Sequence, residues 1–142
     1  MSPSDCQIPA QDELILNVGP PMCIRTLLRV LDDDVTTVSV RMSRPIEWKK
    51  NLWVCFYQIT GVDMEKPRPI LGADSFQAVE LTLQDIRRFL DQTRGEFMWG
   101  SPLNGTGFPR NIPWYGSKFS KQCERLIDSE IEKFSASTAE KK

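Results

Sequence analysis

The sequence predicts an α+β domain, in which a mainly antiparallel sheet of three to five strands carries two long helices packed on it. The run Leu52–Thr60 consists almost entirely of good strand formers and predicts the central strand. Two stretches, residues 74–93 and 117–135, have apolar residues three and four positions apart, which is typical of amphipathic helices. Segments rich in Asp, Gly and Pro separate the strand-like runs, as tight turns would.

Length and composition favour one domain. The chain has 142 residues, of which 40% are hydrophobic and 26% are charged, close to the globular average. We expect a loose lead-in over residues 1–12, one domain over residues 13–135 and a polar tail over residues 136–142. No apolar run approaches the ~20 residues of a membrane span, and the first residues lack the pattern of a secretory signal. The sequence therefore predicts a cytoplasmic protein without a membrane segment.

The first strands are predicted from alternation and turn residues. Residues 13–18 alternate weakly and predict a short strand, and residues 35–42 predict a second, β-branched one. Between them, residues 23–31 fit two patterns. A helix would have a stripe made of Ile24, Leu27, Leu28 and Leu31. A strand would have one face made of Ile24, Thr26, Leu28 and Val30, with Arg25 and Arg29 opposite.

The turn that follows favours the strand, but periodicity alone leaves both structures open. Asp32–Asp34 suits a hairpin, because aspartate tolerates turn conformations. Residues 43–51 then predict a polar connection that contains Pro45. After the central strand, residues 67–71 predict a short edge strand, where proline is tolerated.

The strongest prediction is the helix over residues 74–93. Its apolar stripe consists of Phe76, Val79, Leu83, Ile86 and Leu90. Asp74 and Gln77, three residues apart, have the form of a capping box. Burial of five such side chains contributes roughly 7–15 kcal/mol before opposing terms, so docking of this helix should organise the fold. The helix over residues 117–135 has an apolar face made of Phe119, Cys123, Leu126, Ile127, Ile131 and Phe134.

Residue counts restrict the chemistry. The chain has no histidine, which excludes Ser-His-Asp and Cys-His hydrolase sites and removes the commonest zinc ligand. Its 18 basic and 19 acidic residues give no basic excess for nucleic-acid phosphates. The four cysteines form no C-x-x-C pair and are expected to be reduced thiols. We therefore assign no catalytic residue, metal ligand or cofactor, and the balance is against an enzyme.

One remote alternative is a metal-dependent nuclease. Glu47-Trp48-Lys49 spells E-x-K, and the carboxylates of Asp32–Asp34 lie upstream. Nucleases of this kind hold a hard cation between such carboxylates, with lysine stabilising the developing charge. The three-letter pattern is common, so a solvated loop between strands is the favoured interpretation.

The stretch 95–116 combines glycines and prolines with five aromatic residues, Phe97, Trp99, Phe108, Trp114 and Tyr115. Flexible linkers are rarely so aromatic, so we expect an ordered loop packed down by its rings. Loops longer than ~12–15 residues without regular structure are commonly functional. The aromatic rings either bind a partner or pin the loop to the body, and the sequence does not separate these two roles.

The order of several segments resembles a family of small, uncharacterised bacterial proteins. Its features are a hairpin that ends in an x-R-P corner (Ser43–Pro45), a W-x-C-x-Y strand (Trp53–Tyr57) and a G-x-D-S-x-Q-A helix start (Gly72–Ala78). The resemblance runs from about Ile24 to Leu90 and implies a strand for residues 23–31 and an antiparallel meander followed by the long helix. It implies no activity, since the family has no assigned biochemical role.

The leading functional hypothesis is a non-enzymatic protein-interaction module with a protein partner, for example a toxin-neutralising immunity protein or a small accessory inhibitor; a homo-oligomer is compatible with it. The candidate binding residues are Trp48, Trp99, Phe108, Arg110, Asn111, Trp114, Tyr115 and Lys118. The alternative is a small-molecule pocket, enzymatic or not, under the 95–116 loop, with polar lining from Arg110, Asn111, Tyr115 and Lys118.

Overall fold

A computed structural model describes residues 20–101, 104–112 and 115–140. The chain forms two compact units, Met1–Asn111 and Ile112–Lys142. Within the described residues, the first unit contains a sheet and one helix, and the second contains one helix. The predicted lead-in and the short strand predicted at residues 13–18 lie outside the described residues.

The first unit is an α+β structure with a six-stranded sheet, one strand more than the predicted maximum. Its elements are β1 (Cys23–Leu31), β2 (Asp34–Met42), β3 (Ile46–Lys49), β4 (Leu52–Thr60), β5 (Arg68–Gly72), α1 (Ser75–Gln92) and β6 (Glu96–Met98). All pairings among these strands are antiparallel. One edge of β4 pairs with β3 and then β2, and its other edge pairs with β5. Strands β3, β5 and β6 each pair with one neighbour and are therefore edge strands.

The structure decides the ambiguous run 23–31 in favour of a strand. Leu31 pairs directly with Asp34, so Asp32 and Asp33 alone form the turn of the β1–β2 hairpin. Both have positive φ, 48° and 69°, which suits a two-residue turn whose twist matches that of the strands. The helical stripe in residues 23–31 was misleading. The conformation is decided by hydrogen bonds to residues 34–42, and the spacing of apolar residues within the run carries no information about them.

Strands β3 and β6 correct the sequence predictions, which gave a polar connection and a loop at these places. In β3, half-buried Ile46 and Trp48 alternate with exposed Glu47 and Lys49. This strand pattern covers only four residues and directly follows a proline. β6 has three residues and is a strand because it pairs with the exposed edge of β1. Segments this short have too little local pattern to predict.

Helix α1 begins where the capping box predicts. The Asp74 carboxylate accepts a hydrogen bond from the Gln77 backbone N–H at 2.7 Å, and the Gln77 side chain accepts one from the Ala73 N–H at 2.6 Å. These two bonds satisfy backbone donors that the first turn of a helix leaves free.

The buried side of α1 is rotated from the predicted stripe. The buried residues are Ala78, Thr82, Ile86 and Leu90, whereas Phe76, which was expected in the stripe, is 82% exposed. Ala78 lies against Gly72 so closely that a Cβ on Gly72 would be 2.3 Å from the Ala78 nitrogen. Because two residues are about 200° apart on a helix, Phe76 points away from the sheet once Ala78 faces it.

The two faces of the sheet differ. The face under α1 holds the main core, which includes Leu27, Val38, Tyr57 and Ile59. On the opposite face, Val54 and Phe56 form a smaller cluster with β3. Further along that opposite face, aliphatic side chains of the hairpin are exposed, among them Ile24, Leu28 and Val35.

The second unit contains helix α2, Ser117–Glu140, which ends beyond the predicted end near residue 135. Neither described helix has the length and apolar character needed to cross a membrane.

Candidate functional site

The side chain of Arg25, on β1, is sandwiched between two aromatic rings of the 95–116 loop. Its guanidinium carbon lies 3.8 Å from the Trp99 ring centroid and 4.7 Å from that of Phe108. It also donates a hydrogen bond to the Thr106 carbonyl at 3.3 Å. Cation–π contacts of this kind are strongest when partly desolvated. The stack therefore fastens the loop to the sheet.

Gly107 permits this stack by its small size. Its φ is +72°, and a Cβ would lie 2.6 Å from the Trp99 ring and 2.8 Å from an Arg25 nitrogen. The backbone here must therefore pass directly over the ring and the guanidinium, which only glycine allows.

The two aromatic residues in the stack have different exposure. Phe108 is 9% exposed and belongs to the main core, so its ring pins the loop. Trp99 is 44% exposed and presents one part of its ring to solvent. Of these two predicted residues, Trp99 alone has an accessible surface large enough to recognise a partner.

A cleft of about 960 Å³ lies beneath the loop, between the C-terminal half of α1, β6 and residues 104–109. Arg87 and Asp91 line it from the helix; the Arg87 guanidinium donates to the Asp91 carboxylate at 3.0 Å and to the Phe108 carbonyl at 2.9 Å. Glu96 and Asn104 contribute further polar groups. The predicted polar lining of Arg110, Asn111, Tyr115 and Lys118 does not contribute to this cleft. The small-molecule pocket built from those residues stays a prediction.

Arg110 and Asn111 lie beside the exposed face of α1. Together with Arg87, Arg88 and Asp91 they line a shallow depression of about 220 Å³. Both are exposed. The structure therefore groups these two predicted residues with two arginines of α1, at a place separate from the Arg25 stack.

Asp85, on α1, accepts hydrogen bonds from three side chains. The Tyr57 hydroxyl donates to it at 2.6 Å and Arg68 at 3.2 Å, and Arg88 also donates to it. Burial alone would raise the pKa of Asp85, but the hydrogen bonds from Tyr57 and Arg68 and the charges of the two arginines outweigh it and lower the pKa.

The same network raises the pKa of Tyr57, first through burial and then through its hydrogen bond to the Asp85 carboxylate. Tyr57 therefore holds its proton and acts as a donor. The network connects β4 and β5 to α1. Its polar groups hydrogen-bond to one another, so we assign them a structural role.

Trp48 lies apart from the other candidates. It is on β3, half-buried against Val54 and Phe56, on the face of the sheet opposite α1. The Lys49 ammonium lies 4.9 Å from its ring centroid. Its packing contributes to the small core cluster there.

The carboxylates of the nuclease alternative are not brought together. Asp32 and Asp33 form the β1–β2 turn and Glu47 is on β3, with all of β2 between them, a strand of about 26 Å. Among the described residues, no three acidic or cysteine side chains gather in a way that could hold a metal ion.

In the second unit, Tyr115 and Lys118 lie at the start of α2 and both are exposed. The Tyr115 ring meets the Phe119 ring edge to face, with centroids 5.3 Å apart. Trp114 lies outside the described residues. The apolar side of α2 is largely exposed: Leu126, Ile127, Ile131 and Phe134 are 45–75% exposed.

Arg25 and Arg87 are the residues of this site that the sequence did not reveal. Arg25 shares the face of β1 that carries the buried Leu27, and that alternation signals an arginine on the core-facing side once the run is known to be a strand. Arg87 lay off the predicted stripe and gave no signal, because its partner is the carbonyl of a residue in a distant loop.

Comparison with known proteins identifies a protein family. A family described as Domain of unknown function (DUF6968) matches residues 23–110, more than half of the chain. This confirms the resemblance to a domain without an assigned role, and the match ends before α2. No curated protein and no solved structure matches the chain.

Proposed function

The chain belongs to the DUF6968 family, and we propose that it is a non-enzymatic protein-interaction module whose recognition surface is the apolar side of α2. The bacterial cytoplasm expected from the sequence is part of this proposal. A toxin-neutralising immunity protein or a small accessory inhibitor would be such a module. Identification of the partner would show whether the chain is one of these.

One observation carries the proposal, namely the exposure of the large side chains of Leu126, Ile127, Ile131 and Phe134 on one side of a helix. Isolated helices are marginal in water and gain most of their stability from packing an apolar face. Contiguous exposed apolar surface on a protein marks a place where another surface binds. The exposed side of α2 therefore fits a partner that buries it.

Affinity capture with the full-length chain tests the proposal. We expect at least one protein, either another species or a differently tagged copy of this chain, to co-purify in stoichiometric amount. Replacing Ile131 and Phe134 with serine should remove it, because two central apolar contacts are lost.

The control variant carries serine at Arg125 and Glu132, on the opposite side of the same helix and with unchanged net charge; it should retain the partner. If the wild type captures nothing in stoichiometric amount, or if both variants capture the same proteins, α2 is not the recognition surface.

A second candidate function rests on the cleft beneath the loop. Its volume of about 960 Å³ is in the range of ligand sites, and Arg87, Asp91, Glu96 and Asn104 place charged and polar groups around it. A small polar molecule that carries both charges would fit this lining.

We expect a metabolite panel to contain a compound that raises the melting temperature of the chain in proportion to its binding. Glu96→Trp, which fills the cleft, should abolish the shift, and Glu65→Trp, at a site that does not line the cleft, should preserve it. A panel in which no compound shifts the wild type, or equal shifts in both variants, would exclude the cleft as the binding site.

A further inference from the structure

We infer that the partner of α2 is a second copy of this chain, and that the two α2 helices pack antiparallel along their apolar sides. The inference rests on the proposed function, because it takes the apolar side of α2 as the recognition surface. It adds the identity of the partner and the orientation of the contact.

The spacing of the apolar residues matches itself when the helix is reversed. With Ile127 at the centre, antiparallel pairing places Cys123 opposite Ile131 of the second copy and Phe119 within one residue of Phe134. Each of these apolar side chains thus lies near an apolar side chain of the other half. Self-complementarity of this kind is what a two-fold interface requires.

The position of Glu130 favours the antiparallel orientation over the parallel one. At about 100° per residue it lies within the apolar arc of α2, between Leu126 and Phe134. Parallel pairing would bring the two Glu130 carboxylates together in the seam, at a high electrostatic cost. Antiparallel pairing places Glu130 near Cys123 of the other copy, where its ion pair with Lys133, at 3.1 Å, can persist.

The helix is long enough for a stable contact. Its 24 residues span about 36 Å, and pairing over most of that length reaches the lower end of the roughly 1,200–2,000 Å² buried by stable interfaces. The ring pair of the exposed Tyr115 and the half-buried Phe119 lies at one end, where antiparallel pairing brings Phe134 of the second copy. Aromatic residues at both ends and aliphatic residues in the middle give the contact a defined length.

Sedimentation of the full-length chain over a range of concentrations tests whether the partner is a second copy. We expect a reversible dimer. Ile127→Asp should shift the chain to monomer at concentrations where the wild type is dimeric, because it places two like charges at the centre of the contact. Ser129→Asp adds the same charge on the other side of the helix and should leave the dimer intact.

Disulfide cross-linking tests the orientation. In a chain with serine at Cys6, Cys23 and Cys123 and with the buried Cys55 kept, Ile127→Cys should form an intermolecular disulfide on mild oxidation. In the matched chain that keeps the half-buried Cys123 and retains Ile127, no such disulfide should form. Antiparallel pairing separates the two Cys123 residues by about 12 Å along the axis, beyond the reach of a disulfide.

Each outcome is decisive. A Cys123 cross-link as efficient as the one at position 127 would overturn the antiparallel orientation. A chain that stays monomeric yet captures another protein through Ile131 and Phe134 would overturn the second copy as partner and leave the proposed function standing. A chain that stays monomeric and captures nothing would overturn both.

Discussion

Replacing Ile86 with alanine is expected to lower the free energy of unfolding by about 2–5 kcal/mol. Ile86 is fully buried in the middle of the side of α1 that faces the sheet, within the main core cluster. Its truncation removes apolar contacts and leaves a cavity between helix and sheet, which a packed core closes only in part. Chemical denaturation followed by circular dichroism measures the loss.

The matched control is Leu81→Ala, on the same helix but more than a third exposed. We expect this change to cost less than about 1 kcal/mol, because much of the Leu81 side chain already contacts water. Equal losses at positions 81 and 86 would contradict the packing of α1 through its Ala78–Leu90 side.

Replacing Gly72 with alanine is expected to destabilise the chain by about 1–3 kcal/mol or more. The added Cβ would lie 2.3 Å from the backbone nitrogen of Ala78 and 2.8 Å from its Cα. Because both atoms belong to the helix backbone, no rotation of a side chain relieves the contact, and α1 must move away from β5. The same denaturation experiment measures the effect.

The sign of the change is diagnostic. Gly72 lacks the positive φ of the turn glycines, so without the steric contact an alanine would stabilise the fold by reducing the freedom of the unfolded chain. The double variant with Ala78→Gly should stay destabilised, since the clash involves backbone atoms. A Gly72→Ala variant as stable as the wild type would show that helix and strand are not in close contact here.

Local chemistry predicted the elements whose signals lie within a few residues. Asp74 and Gln77 fix the start of α1 by contacts within one turn, and the strand-forming run at Leu52–Thr60 predicted the central strand. The strand β1 is different, because its conformation is decided by pairing with β2 and not by its own pattern. Strand β6, three residues long, exists only because the edge of β1 is available to it.

Tertiary contacts decided the rest. Phe76 is exposed because Ala78 packs against Gly72. The periodicity of the helix alone does not show which of its sides meets that glycine. In the candidate site, the loop aromatics were visible in the sequence, but the cation between Trp99 and Phe108 comes from Arg25, more than seventy positions earlier. A sequence pattern shows which residues could pack, and a distant partner determines which of them do.

The outer strands of the sheet also determine how copies of this chain can assemble. β5 contains Pro69, which has no N–H to offer a neighbouring chain. β6 has three residues and β3 has four, with a break in its register beside β4. Such edges resist the edge-to-edge strand pairing between chains that leads to aggregation. In the proposed dimer, the helix contact uses the same surface on both copies and closes after two, so the pair would offer no further α2 surface for open-ended polymerisation.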